Sequence, residues 1–359
     1  MTCRRIILNI LVVLAAIAGG FYQLKLKPVL AKLGVGRVVD PVGNTDCTII
    51  PELQACEKIV IHQPSGILYL ACSTPSSRVH WLPHGLTFNE TGTPPAGCRR
   101  TGWTSCPRRP DPSELFVYLV NHRAPRGGAD PNKVGADSAV EGSSSMEYLR
   151  TVEHPLIETP NDLTGSADGK EFWVTNDHGS KTGLSREFEI LGRAVTSVVY
   201  CHETEGCKYA IQHMRGNNGI TQADNGTFYV VNSPGGQLYV LDKQADNTLV
   251  ITDVIETDRS MDNAMVDSEG HVWAAAFPKA LVLVQEHFKN PSIPSPSSAL
   301  RFSINTGPGM FYGEKFKVDR VFEDDGTIAS GVTSAAYDAE RNRLFLHGLA
   351  SPHLVVCRL

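Results

Sequence analysis

The stretch Asn218-Gly219-Ile220-Thr221-Gln222-Ala223-Asp224-Asn225-Gly226-Thr227-Phe228-Tyr229-Val230-Val231 opens on an amide, passes an apolar position into an Asn-Gly turn, and ends in an aromatic and β-branched run. Aromatic and β-branched residues favour strands, and Asn-Gly favours a tight turn between them. The same grammar occurs three times more. Glu57 leads to Gly66 and Ile67-Leu68-Tyr69-Leu70, Asn161 to Gly169 and Phe172-Trp173-Val174, and Asp262-Asn263 to Gly270 and Val272-Trp273-Ala274. The glycine follows its leader by eight residues in three copies and by nine in the first. Residues 333–346 share the rhythm, and residues 115–122 supply another strand ending in Asn121-His122.

Successive leaders Asn161, Asn218 and Asp262 lie 57 and 44 residues apart, around the length of a four-stranded propeller blade, so five or six blades are expected. Helical periodicity is poor after residue 40, and the turn-rich connections leave no crossover helices for a parallel α/β sheet. A β-sandwich is the alternative. In a propeller, a residue recurring at one end of every inner strand converges on the central channel. Glu57, Asn161, Asn218, Asp262 and Asn263 are all oxygen donors, the set preferred by calcium, with its six to eight ligands at about 2.3–2.6 Å. Glu57 and Asp262 balance one divalent cation. The competing reading is that Asn and Asp before turns only bond their own backbone.

With 42% hydrophobic residues the chain can bury a sizeable core, and a net charge of −5 gives no general reason to bind nucleic acid. Arg4 and Arg5 precede an apolar run from Ile6 to Phe21, which reads as a signal sequence or short membrane anchor, cleaved or retained, over residues 1–24. Residues 25–45 then form a linker and 46–359 the propeller. Entry into the secretory pathway follows, with the product secreted or membrane-anchored. Nine cysteines in that compartment point to disulfides rather than zinc, and a Cys47–Cys357 bond could join the two ends of a closed ring. Asn89-Glu90-Thr91 and Asn225-Gly226-Thr227 are glycosylation sequons.

The words Cys56-Glu57, Val120-Asn121-His122, Pro160-Asn161-Asp162, Thr175-Asn176-Asp177-His178, Asn218-Gly219-Ile220 and Asp262-Asn263 occur in this order. In these the chain resembles the paraoxonase and arylesterase family, itself similar to the gluconolactonase group. The resemblance implies an all-β, six-bladed propeller closed by its N- and C-terminal strands, with Cys47 paired to Cys357. It further implies a catalytic calcium on Glu57, Asn161, Asn218, Asp262 and Asn263, and a small-molecule aryl ester or lactone as substrate. His84, in Pro83-His84-Gly85, corresponds to the family's general base, and His122 to its partner histidine.

Three departures accompany the match. His84 precedes His122 by 38 residues, farther than the family pattern, and residues 92–112 are rich in Arg, Pro and Cys and unlike a propeller strand, which suggests a local blade defect. Asp162 corresponds to a ligand of a second, structural calcium, but Lys58 stands where some members carry an aspartate. Either that ion is lost or Lys58 pairs with Asp162 in its place. Phe277 replaces a histidine that some members have near the site's mouth. The alternative function is a non-catalytic, calcium-stabilised propeller.

Overall fold

The computed structural model describes residues 2–82, 87–88, 100–107, 115–125, 129–134, 136–144 and 147–359. Among them, five antiparallel sheets have four strands each and two have two strands. Blade 1 contributes Ile59–His62 and Ile67–Leu70, followed by a small hairpin of Trp81–Leu82 and Thr87–Phe88. Blade 2 is Arg100–Pro107, Leu115–Arg123, Asp137–Ser144 and Glu147–Val152. Blade 3 is Pro160–Gly165, Glu171–Asn176, Thr196–His202 and Gly206–Met214. Blade 4 is Asn217–Gln222, Phe228–Asn232, Gln237–Lys243 and Leu249–Glu256, and blade 5 is Ser260–Val266, Val272–Phe277, Ser297–Ile304 and Phe316–Asp324. Blade 6 combines Ser334–Asp338, Arg343–His347 and Leu354–Cys357 with Cys47–Ile50 from the far end of the chain.

The first strand of each blade touches the first strand of the next, and blade 6 meets blade 1, so these six strands ring a central channel. The fold is the expected six-bladed propeller. Its closure is a two-chain-end device: Cys47 lies opposite Cys357 in an antiparallel register and the two form a disulfide across 310 residues of sequence. In the chain-entropy picture, so long a loop puts the cross-link at the upper end, about 5 kcal/mol. The second strands carry the aromatic residues that glue blades together. Trp173 of blade 3 packs against Phe228 of blade 4 and its own blade's Tyr200, with ring centroids 5.0 Å away in both cases, while Trp273 of blade 5 stacks on Tyr337 of blade 6 at 4.3 Å.

The recurring glycine of the sequence pattern has one physical cause. Gly66, Gly169, Gly226 and Gly270 all have φ between 68° and 89°, at the turn from first to second strand, where a Cβ is strained. Blade 6 uses Asn342, at φ 49°, for the same purpose.

One expectation is overturned. Residues 92–112 do not lack a strand: Arg100–Pro107 pairs along its length with Leu115–Arg123 and forms the innermost strand of blade 2. Its pairing with Leu115–Arg123 outweighs an unfavourable local composition. The N-terminal segment also continues beyond its apolar run. Helix Thr2–Phe21 passes through a wider turn at Tyr22–Leu26 into helix Lys27–Lys32. Arg5–Lys32 is 28 residues long and contains an 18-residue window of mean hydropathy 2.0, none of it buried, long and apolar enough to cross a membrane. Its end is docked rather than loose. Lys32 Nζ bonds Glu256 Oε2 at 3.0 Å and the carbonyl of Thr257, Arg37 reaches the carbonyl of Asp258, and Val42 bridges to Glu323.

Candidate metal centre

First strands begin, and second strands end, at the same rim of the channel. At that rim blades 3, 4 and 5 share one irregularity. The pairing advances three residues against two between Pro160 and Leu163, between Asn217 and Ile220, and between Met261 and Ala264. Each is a β-bulge, which re-aims side chains that a regular pleat would send to alternate faces. The bulged pairs are Asn161-Asp162, Asn218-Gly219 and Asp262-Asn263, so every leader from these blades sits on a bulge. Gly219 is needed for this arrangement: a Cβ there would lie 2.7 Å from Ala264 N and from Asn263 Cα, so blade 4's bulge packs directly on blade 5's.

A shared lattice of hydrogen bonds sets the side chains. Asn263 Nδ2 donates to the carbonyl of Thr333 at 3.0 Å and that of Glu57 at 3.4 Å, while Thr333 Oγ1 also donates to Glu57 O. Thr175 Oγ1 donates to the carbonyls of Asn218 and Asp162 and accepts from Asp162 N. The Asn218 side chain bonds the Asp262 carboxylate. With the N–H groups of Asn218 and Asn263 spent in this way, those two amides turn their oxygens elsewhere. Asn161 Oδ1, Asp162 Oδ1, Asn218 Oδ1 and Asn263 Oδ1 are all buried and have no hydrogen-bond partner. Buried acceptors without partners are rare and costly, and four at one rim call for a cation.

Charge points the same way. Burial first, then repulsion from Glu57 and Asp162, holds the Asp262 carboxyl well above its usual range. Asp162 is raised by complete burial, opposed by Lys58 and by the amides of Ile220 and Leu163. Glu57 is 4% exposed and precedes the first strand of blade 1, its peptide clamped between a bond to Ala71 O and the Cys56–Cys72 disulfide. This disulfide and Cys201–Cys207 were not assigned from sequence. A donor set of carboxylate and amide oxygens, with no thiolate or imidazole, fits calcium and not a softer ion.

His122 ends the second strand of blade 2 at this rim, buried, its carbonyl accepting the Trp81 indole N–H at 3.2 Å. His84 and Asn89 lie outside the described residues. Asn225 is exposed on the first turn of blade 4, at the opposite rim. Phe277 is buried with Ala280 and Leu283, against Leu33 of the N-terminal segment. Lys58 and Asp162 form an ion pair, as the sequence comparison of these positions allowed.

One cluster was missed. Asp267, Glu269 and His271, on the first turn of blade 5, are the only His, Cys, Asp or Glu trio among the described residues whose ligand atoms lie within 4.8 Å of one another. Alternation along Asp267-Ser268-Glu269-Gly270-His271 was the available signal. Both Asp267 oxygens are already engaged, by Trp273 Nε1 at 2.7 Å and by the amides of Glu269 and His271.

A closed propeller with an oxygen-lined rim places the chain in the gluconolactonase-like class of folds. A solved gluconolactonase from Xanthomonas campestris has the same architecture, with a TM-score of 0.51 at 16% identity, covering 90% of this chain and 97% of that one. The arylesterase family model matches residues 110–358, more than half of the chain, and the chain belongs to that family. Serum paraoxonase/arylesterase 2 of Gallus gallus is 23% identical over 372 residues, covering 92% of this chain and 95% of the relative. Serum paraoxonase/lactonase 3 of Homo sapiens is 23% identical over 323 residues, covering 85% and 87%.

Proposed function

We propose that this chain is a calcium-dependent hydrolase of small aryl esters or lactones, with Glu57, Asn161, Asn218, Asp262 and Asn263 holding the ion. The observation that carries the reading is the set of partnerless oxygens on three equivalent bulges. Calcium bound there supplies a Lewis acid for the carbonyl oxygen of the scissile ester. The chain's own contribution is rigidity: Thr175, Thr333 and the Asn263 amide fix the ligands before any ion arrives. His122 and His84 form the proton-handling pair, taking a proton from the attacking water, a task suited to imidazole near neutral pH. The names of the relatives, arylesterase and lactonase, support this substrate class. An apolar N-terminal helix and three disulfides support passage through the secretory pathway, secreted or held at a membrane.

The test is hydrolysis of phenyl acetate and a panel of lactones, measured in excess chelator and then with calcium titrated back. Loss and recovery of turnover in step with bound calcium is the expected result. Undiminished turnover after thorough chelation would overturn it, and bound calcium with no turnover on any substrate would leave a calcium-stabilised scaffold instead.

A further inference from the structure

Among the described residues, one buried ammonium sits on a carboxylate of the bulged rim. Lys58 Nζ is in direct contact with Asp162 Oδ2, with side chains 5% and 0% exposed, across 104 residues of sequence. Lys58 precedes the first strand of blade 1 and Asp162 lies on the bulge of blade 3, so the pair reaches past blade 2. The same Asp162 oxygen accepts the Ile220 amide of blade 4 at 2.8 Å. One ammonium thus ties three blades through a single carboxylate oxygen. The other oxygen, Asp162 Oδ1, is buried and partnerless, like Asn161 Oδ1 and Asn263 Oδ1 beside it.

Buried charges must be balanced nearby, because water cannot do it. Among the described residues, Lys58 does this for Asp162, whose carboxylate it contacts directly. A divalent ion at Asp162 would have to displace an ammonium already seated on that carboxylate. We infer that Lys58 is a built-in counter-ion, standing where another cation would sit, and that it limits the channel to one divalent ion per chain. The inference rests on the calcium reading of the rim and adds its stoichiometry.

Structural consequences follow. Because the Lys58–Asp162 contact is covalently tethered at both ends, the link from blade 1 to blade 3 persists in excess chelator. Only the five-ligand site empties.

Calcium per chain, measured by elemental analysis after equilibrium dialysis against micromolar to millimolar calcium, tests the count directly. The intact chain is expected to bind one ion. Lys58→Asp puts a carboxylate where the ammonium sits, and should bind two, with a melting temperature more steeply dependent on calcium. A Lys58→Met/Asp162→Asn double variant removes both charges of the pair, leaves the net charge unchanged, and should return to one ion. Two ions on the intact chain, or one ion on a folded Lys58→Asp chain, overturns the inference while sparing the calcium reading. No bound ion on the intact chain sinks that reading itself. Should Lys58→Asp fail to fold, the intact chain and the charge-neutral double variant still decide the stoichiometry.

Discussion

The two rims of the channel both gather acidic and amide side chains, and they solve the problem of burying them in opposite ways. At the far rim, Asp267 packs close to Glu269 and His271, yet its oxygens are taken up by Trp273 and by two backbone amides. At the bulged rim the groups are spread over four blades, yet four of their oxygens have no partner at all. Proximity of charges and unmet hydrogen-bonding capacity therefore point to different rims, and only the bulged rim keeps acceptors open. The polar groups of a turn stabilise the turn; those of a binding site are held ready by bonds to their other atoms.

The largest expected effect separates two asparagines that look alike in sequence. Asn176 ends the second strand of blade 3 with all its polar atoms used: Oδ1 accepts from the amides of Glu158 and Thr159, and Nδ2 donates to Leu156 O and Ser197 Oγ. Asn218 keeps an open Oδ1. Asn218→Ala should weaken calcium binding by at least the roughly 10–100-fold that outer-shell partners of metal sites cost, and abolish calcium-dependent turnover. Its melting temperature in excess chelator should match that of the intact chain. Asn176→Ala should lose about 2–4 kcal/mol with or without calcium, because buried partners are stranded. Thermal melts of both variants with and without calcium check this, and the opposite pattern would break the distinction between the rims. For the intact chain, calcium at a thousand times its dissociation constant adds about 4 kcal/mol.

A histidine at the bulged rim sharpens the same point. His347 ends the second strand of blade 6 and is fully used: Nδ1 accepts from Gly348 N at 2.7 Å and Nε2 meets Leu53 O at 3.0 Å. Burial, aided by the nearby His353, lowers its pKa to about 4. A histidine neutral when folded but protonated when unfolded contributes stability above about pH 6.5 and loses it as the pH falls towards 4. The amount is on the order of 3 kcal/mol. His347→Gln should be less stable at pH 7 and lose less between pH 6.5 and 4 than the intact chain, measured by denaturant unfolding in saturating calcium. An unchanged acid slope would show that this histidine is not the titrating group.

Much of this was readable before any coordinates because the features are local. Leader, turn glycine and β-rich second strand lie within one hairpin, and the left-handed φ of Gly66, Gly169, Gly226 and Gly270 forces the spacing. The interval between leaders is less regular because insertions fall farther along each blade, such as the short helices Leu184–Glu187 and Phe188–Leu191 in blade 3. The bulges were invisible, since a bulge is defined by the partner strand's register. Residues 92–112 were misjudged for the same reason: composition argued against a strand that Leu115–Arg123 pairs into place. Cys56–Cys72 escaped because nothing in the spacing of nine cysteines favours one pairing over another. The oxygen-donor leaders were legible because Glu57, Asn161, Asn218 and Asp262-Asn263, at equivalent places in blades 1, 3, 4 and 5, form a chemical pattern that does not depend on exact geometry.

The smallest expected effect lies at the far rim, where the comparison is easiest to break. Glu269 is 62% exposed and contacts His271 Nδ1 at 3.4 Å, so their attraction is screened by water. The Asp267 carboxylate, which anchors the turn, does not depend on either of them for its hydrogen bonds beyond their backbone amides. Glu269→Gln should therefore change stability by less than about 0.5 kcal/mol and leave calcium per chain, calcium affinity and turnover unaltered. Calcium titration of this variant beside Asn218→Ala is the direct contest between the rims. If Glu269→Gln loses the bound ion and Asn218→Ala keeps it, the metal belongs to the compact acidic turn, and the partnerless oxygens of the bulges would need another explanation.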